Sequence, residues 1–239
     1  MTRLPFVACL LANGCTLIYG GERASSDLAI AGGTDLAGFD LAGIDLGGDD
    51  SGSGGVLTGS GQSATGAINL TAEGTSDWAH WGRAAVTDFD HKAAGGSQIS
   101  NFTVVGAGTT KRVTNLVTYA WTDGTPTVSA PPTASGIAVH ALNAGITVTV
   151  PADTTQRTLR LYLGGHNSMG RLTAHLSDRS APDYVDAGFS SMSALYEVEY
   201  TLTYRAASAG GTLTLTWIEL KSFGGGSKDD VTLQSATLR

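Results

Sequence analysis

The chain is poor in cysteine and in charge, and it lacks the sequence signatures of the common enzyme classes. Its two cysteines, Cys9 and Cys15, both fall within the first 15 of 239 residues. The remainder therefore needs neither a disulfide nor a thiolate metal site. Charged residues make up only 15% of the chain, and residues 67–239 carry 14 acidic against 12 basic side chains. That near balance leaves no basic face for a phosphate backbone, so nucleic acid is not an expected partner. No Gly-x-Ser-x-Gly elbow, phosphate-binding glycine loop or His-Glu-x-x-His helix occurs. The five histidines, His80, His91, His140, His166 and His175, lack the helical spacing of a zinc enzyme. Nor is there an amphipathic helix of useful length.

What is present begins with an address. "MTRLPFVACLLANGC" has one cation at Arg3, an apolar run over residues 4–12, and small residues before Cys15. This is the order of an export signal, and the run is too short to span a bilayer as a helix. The Ala12-Asn13-Gly14-Cys15 end resembles a bacterial lipobox, in which the cysteine is lipidated. It departs from that pattern at Asn13 and in the early position of Leu11. An ordinary cleaved signal with an incidental cysteine is the alternative.

Then comes "TDLAGFDLAGIDLGGDD" over residues 34–50. One leucine in five residues builds no buried face, and the repeated aspartates repel one another and extend the chain. Residues 16–66 are therefore expected to be a disordered tether. The Asp-Leu repeat resembles those behind the lipidated cysteine of myxobacterial lipoproteins, which implies an exported, lipid-anchored protein of the outer membrane, cell surface or periplasm. Calcium on these aspartates is a further alternative, although their spacing is not that of a calcium loop. No other cofactor is expected.

From residue 67 the pattern changes to short alternating runs split by Gly, Pro, Asp and Asn. In "YEVEYTLTYR", Tyr196, Val198, Tyr200, Leu202 and Tyr204 share one face, while Glu197, Glu199, Thr201, Thr203 and Arg205 share the other. The same logic aligns Ile146, Val148 and Val150; Leu159, Leu161 and Leu163; Leu172, Ala174 and Leu176; Leu213, Leu215 and Trp217; and Val117, Tyr119 and Trp121. Nine or ten strands of this kind predict one all-β domain over residues 67–239, an antiparallel β-sandwich of jelly-roll type. The order "TVTVPADTTQRTLRLYLGG", "LTAHLSD", "YTLTYRAASAGGTLTLTW", "VTLQSATL" resembles galactose-binding-like jelly rolls and carbohydrate-binding modules, which implies sugar or small-molecule binding. "INLTAEGTSDWAHWG", "QISNFTVVG", "WTDGTPT" and "LTAHLSDRSAPDYVD" are similar to an uncharacterised β module of secreted bacterial multidomain proteins.

Two clusters are candidate ligand-binding residues. "SDWAHWG" brings Trp78, His80 and Trp81 together, and exposed tryptophans stack on sugar rings. The alternative is that they fill the core, as tryptophan commonly does. "SDRSAPDYVDAG" sets Asp178, Asp183 and Asp186 around Tyr184, where carboxylates can orient hydroxyls or hold calcium. The alternative is turn capping. Trp121 and Trp217 are expected in the core, and Glu197 and Glu199 on a solvated face. The functional expectation is a surface-anchored lipoprotein presenting a non-catalytic binding or adhesion module, with glycans or an envelope protein as partner. A structural spacer of the envelope and a jelly-roll hydrolase or lyase are the rival readings.

Overall fold

The alternation in "LYEVEYTLTYR" does what a period of two requires. Val198, Tyr200, Leu202 and Tyr204 are all buried, and they face a second sheet. The structure, a computed structural model, describes residues 54–225 and 229–239. The lipobox-like Cys15 and the Asp-Leu repeat lie outside the described residues.

In chain order the elements are β1 (Val56–Ser63), β2 (Ala67–Asn69), α1 (Leu70–Glu73), β3 (Asp77–Trp81), β4 (Phe89–Lys92), β5 (Thr103–Val105), β6 (Thr109–Trp121), β7 (Gly124–Thr125) and β8 (Ala130–His140). They continue with β9 (Gly145–Ala152), β10 (Arg157–His166), β11 (Ser168–Leu176), β12 (Tyr184–Asp186), β13 (Leu195–Arg205), β14 (Gly211–Ser222) and β15 (Asp230–Leu238). The larger sheet runs β1-β13-β10-β15-β3-β4-β7, with β8 sharing one edge of β15 with β3 and passing the pairing on to β6 and β2. The smaller sheet runs β12-β11-β14-β9-β5.

From β9 onward the chain alternates between the sheets, with β9, β11, β12 and β14 in the smaller and β10, β13 and β15 in the larger. That winding is the jelly roll expected from the sequence. The predicted inward residues form its core: Ile146, Val148, Val150, Leu159, Leu161, Leu163, Leu172, Leu213, Leu215 and Trp217 are all buried between the sheets.

Three expectations change. First, the sheet takes in β1, which the sequence assigns to the tether. β1 pairs with β13 from Val56↔Arg205 to Ser63↔Val198. Its glycines are required by the neighbouring side chains, since a Cβ on Gly59 would lie 2.5 Å from Leu202 Cδ2 and one on Gly61 would lie 2.6 Å from Phe189 Cε2. A Gly-Ser stretch that reads as linker is here a strand thinned to let side chains pass.

Second, the outer face of the larger sheet is covered. The far half of β6, with β2 and α1, packs over it and builds a second core of Leu70, Trp78, Val117, Tyr119, Trp121, Ala130 and Tyr162. Tyr119 meets Tyr162 edge-on at 5.4 Å, and Trp78 meets Trp121 at 5.2 Å. The layer is riveted by Glu73, whose carboxylate accepts from Tyr162 Oη at 2.8 Å, Thr237 Oγ1 at 2.7 Å and Arg160 Nη1 at 3.0 Å. Every residue of β15 is consequently buried, polar ones included.

Third, Glu197 is buried rather than solvated, at 6% exposure. Strand β6 bulges between Thr114 and Tyr119, which leaves backbone N–H groups without a ladder partner. Glu197 accepts two of them, Leu116 N at 2.5 Å and Val117 N at 2.7 Å. Burial holds its carboxyl above the usual range even so. Glu199 is likewise largely buried, its side chain 14% exposed, and pairs with Arg160.

Candidate functional site

The covering layer decides the fate of the first candidate cluster. Trp78 and His80 point outward from β3 into the second core, while Trp81 points inward, and all three are 0% exposed. The stacking-platform expectation is therefore corrected: none of the three offers a face to a ligand. The two indole N–H groups are built into the fold. Trp78 Nε1 donates to Asp123 Oδ1 at 2.9 Å, and Trp81 Nε1 to Asn101 Oδ1 at 3.0 Å. His80 lies against Trp121 and Tyr119, at 5.1 and 5.7 Å between ring centroids. Burial keeps it neutral, with its pKa pushed down to about 3. Trp121 and Trp217 are buried as expected.

The second cluster is dispersed into local contacts. Asp178 caps two loops, accepting from Ser180 Oγ at 2.7 Å and from Ala207 N at 2.9 Å. Those bonds, the Ser180 hydroxyl first, hold its carboxyl below the ordinary value. Asp183 instead pairs with His175 Nδ1 at 2.6 Å on the surface. Asp186 accepts from Gly188 N and, at 3.4 Å, from Tyr184 Oη. Tyr184 itself leans edge-on against Tyr200. Among the described residues, no group of three or more His, Cys, Asp or Glu side chains is arranged to hold a metal ion. The three aspartates do not converge on one calcium position.

A concave site does exist elsewhere. An open cleft is lined by Lys111, Val113, Thr114, His166, Leu195 and Asp230. Sheet register assembles it. Leu195 on β13 lies opposite His166 on β10, and His166 lies opposite Asp230 on β15. These three form one cross-strand row at the end of the larger sheet. The other wall is the first half of β6, reached across β8, where Lys111 lies opposite Ala138 and Ala138 opposite Thr232. From there Lys111 Nζ reaches Asp230 Oδ2 at 2.9 Å. The lysine side chain is 44% exposed and the aspartate only 4%. The bulge clamped by Glu197 starts at Thr114, so it ends this wall of the cleft.

More polar groups lie beside the floor. Ser168 Oγ donates to the Asp230 carbonyl at 2.6 Å and lies 3.4 Å from Tyr196 Oη. Burial pushes the Tyr196 phenol up to about 12. Asp229 accepts from Ser222 Oγ and Gly224 N, and its carbonyl meets His140 Nδ1. Glu219 is 1% exposed and accepts from Ala141 N at 3.4 Å. Burial, with the Asp229 and Asp230 charges adding to it, holds the Glu219 carboxyl above its usual value. Residue patterning did not point to this cleft. Lys111 and Thr114 sit in a polar stretch of strand, and Asp230 closes "FGGGSKDD", which reads as a loop. The adjacent aspartates of that stretch were the available signal.

No family model and no curated protein matches the sequence. Among solved structures, the chain is similar to a CBM61 module in complex with β-1,4-galactotriose, at 12% identity over 59% of this chain and 88% of that one, with a TM-score of 0.31. It is also similar to the CBM22-1–GH10 modules of Clostridium thermocellum xylanase 10B complexed with xylohexaose, at 9% identity over 58% of this chain and 26% of that one, with a TM-score of 0.31. A third is the enzymatically active domain of bacteriophage CBA120 tailspike protein 4, at 8% identity over 52% of this chain and 19% of that one, with a TM-score of 0.26.

Proposed function

We propose that this chain is a non-catalytic glycan-binding module whose ligand face is the Lys111–Asp230 cleft. The observation that carries this reading is the composition of the lining: an ammonium, a carboxylate, a hydroxyl and an imidazole set beside the aliphatic side chains of Val113 and Leu195. Sugars present that same mixture, with hydroxyls that need oriented donors and acceptors and C–H faces that need apolar contact. Asp230 is engaged by Lys111, which suits a binding role better than proton transfer.

Thr114 is exposed on the cleft wall, so Thr114→Trp fills the site at little cost to stability. Full-length chain printed against a glycan array should give signals that this variant loses, with an unchanged melting temperature. Asp183→Ala and Asp186→Ala should retain them. A silent array with concentration-dependent self-association would favour the envelope-spacer reading, and a Thr114→Trp chain that binds normally would move the site elsewhere.

Membrane attachment through lipid on Cys15 is proposed alongside, supported by the lipobox-like sequence and the Asp-Leu repeat behind it. Expressed in bacteria fed labelled palmitate, the chain should take up label and Cys15→Ser should not. An unlabelled parent chain would remove the anchor.

A further inference from the structure

We infer that the cleft selects uncharged sugars carrying adjacent free hydroxyls and rejects uronates; the inference rests on the glycan-binding reading above. Among the described residues, Asp230 uses only one of its two carboxylate oxygens. Oδ2 takes the Lys111 ammonium at 2.9 Å, while Oδ1 is buried and has no hydrogen-bond partner among the described residues. A buried anionic acceptor without a donor is costly, and a ligand hydroxyl is the group that satisfies it. Lys111 carries three N–H donors, and its half-exposed position leaves them room to reach a second ligand oxygen. Two neighbouring hydroxyls, one donating to Asp230 Oδ1 and one accepting from Lys111 Nζ, match this pair.

The charge around the pair sets the selectivity. The Lys111 charge is already offset by Asp230. Near Asp230 stand the carboxyls of Asp229 and Glu219, both buried. His140 bonds the Asp229 carbonyl, and His166 adjoins Asp230 across the ladder. A ligand carboxylate entering here has no proton to give to Oδ1 and meets a carboxylate-rich floor, and like charges juxtaposed across an interface are strongly disfavoured.

The test uses matched polysaccharides that differ in the oxidation state of C6: galactan against polygalacturonate, and mannan against polymannuronate. Affinities are measured at low salt with the full chain. The neutral member of at least one pair should bind at least tenfold more tightly than its uronate. Asp230→Asn keeps the shape but releases the Lys111 charge, and it should bring the two members within about threefold of each other. Lys111→Gln leaves the buried Asp230 without its cation and should lower stability, so thermal unfolding is used to establish that the variant is folded before binding is compared. The substitution should weaken neutral binding about tenfold and widen the preference. Equal or tighter binding of uronates by the native chain overturns the inference and leaves the glycan reading standing. So does an unchanged neutral-to-uronate ratio in folded Lys111→Gln. Failure of all four polymers to bind overturns both.

Discussion

Trp78→Ala is expected to lower the stability of the fold by about 3–5 kcal/mol, the usual cost of deleting a large buried aromatic. The residue is fully buried between β3 and the covering layer, stacked near Trp121, with its indole N–H committed to Asp123. Deletion leaves a cavity in the second core and takes one donor from Asp123, which also holds Lys92 and Thr71. In a domain of this size the loss corresponds to a fall in melting temperature on the order of 10 °C. Ligand binding at the Lys111–Asp230 cleft should persist in the chains that remain folded. A sugar-stacking platform would show the opposite pair of results, with binding lost and melting unchanged. Thermal unfolding and affinity measured on the same preparation separate the two.

The second large effect is on pH dependence. His80 titrates near 6.5 in the unfolded chain and is pushed down to about 3 in the fold by burial. Between those values the unfolded chain holds a proton that the folded chain does not, so stability falls as pH falls. Each pH unit within the window is worth about 1.4 kcal/mol, and descending from pH 6.5 to 5 should cost about 2 kcal/mol. The carboxyls of Asp77, Glu197 and Glu219 are raised by burial and act in the opposite sense, because the fold holds their protons more readily than the unfolded chain does. The parent curve sums both trends. His80→Phe keeps an aromatic ring between Tyr119 and Trp121 and isolates the histidine. The stability difference between variant and parent should be constant above pH 7 and grow in favour of the variant as the pH drops. A difference that stays flat down to pH 5 would show that His80 does not titrate this way.

Much of the sandwich was legible because its inward residues obey a period of two that only a sheet face explains. Leu159, Leu161, Leu163, Leu213, Leu215 and Trp217 follow it into the core, as do Tyr200 and Leu202. The opposite face misled because alternation reports polarity and not exposure. Thr237, Ser235 and Glu197 are polar, yet a third layer covers them. Two of them receive partners there, Thr237 at Glu73 and Glu197 at the β6 bulge. That layer depends on contacts between residues some eighty positions apart, such as Glu197 with Leu116, and local patterning carries no trace of them. The candidate site was lost for a related reason. Leu195, His166 and Asp230 become a row only through strand pairing.

The position of β15 in the larger sheet has a consequence for synthesis. Residues 230–238 form an inner strand, bonded to β10 along one edge and to β3 and β8 along the other. While those residues are still inside the ribosome, the sheet is missing its middle: β10 can pair with β13, β3 with β4 and β8 with β6, but nothing joins the three pairs. Contacts this distant in sequence also close slowly. The larger sheet should therefore remain open during translation and close only after residues 230–238 emerge.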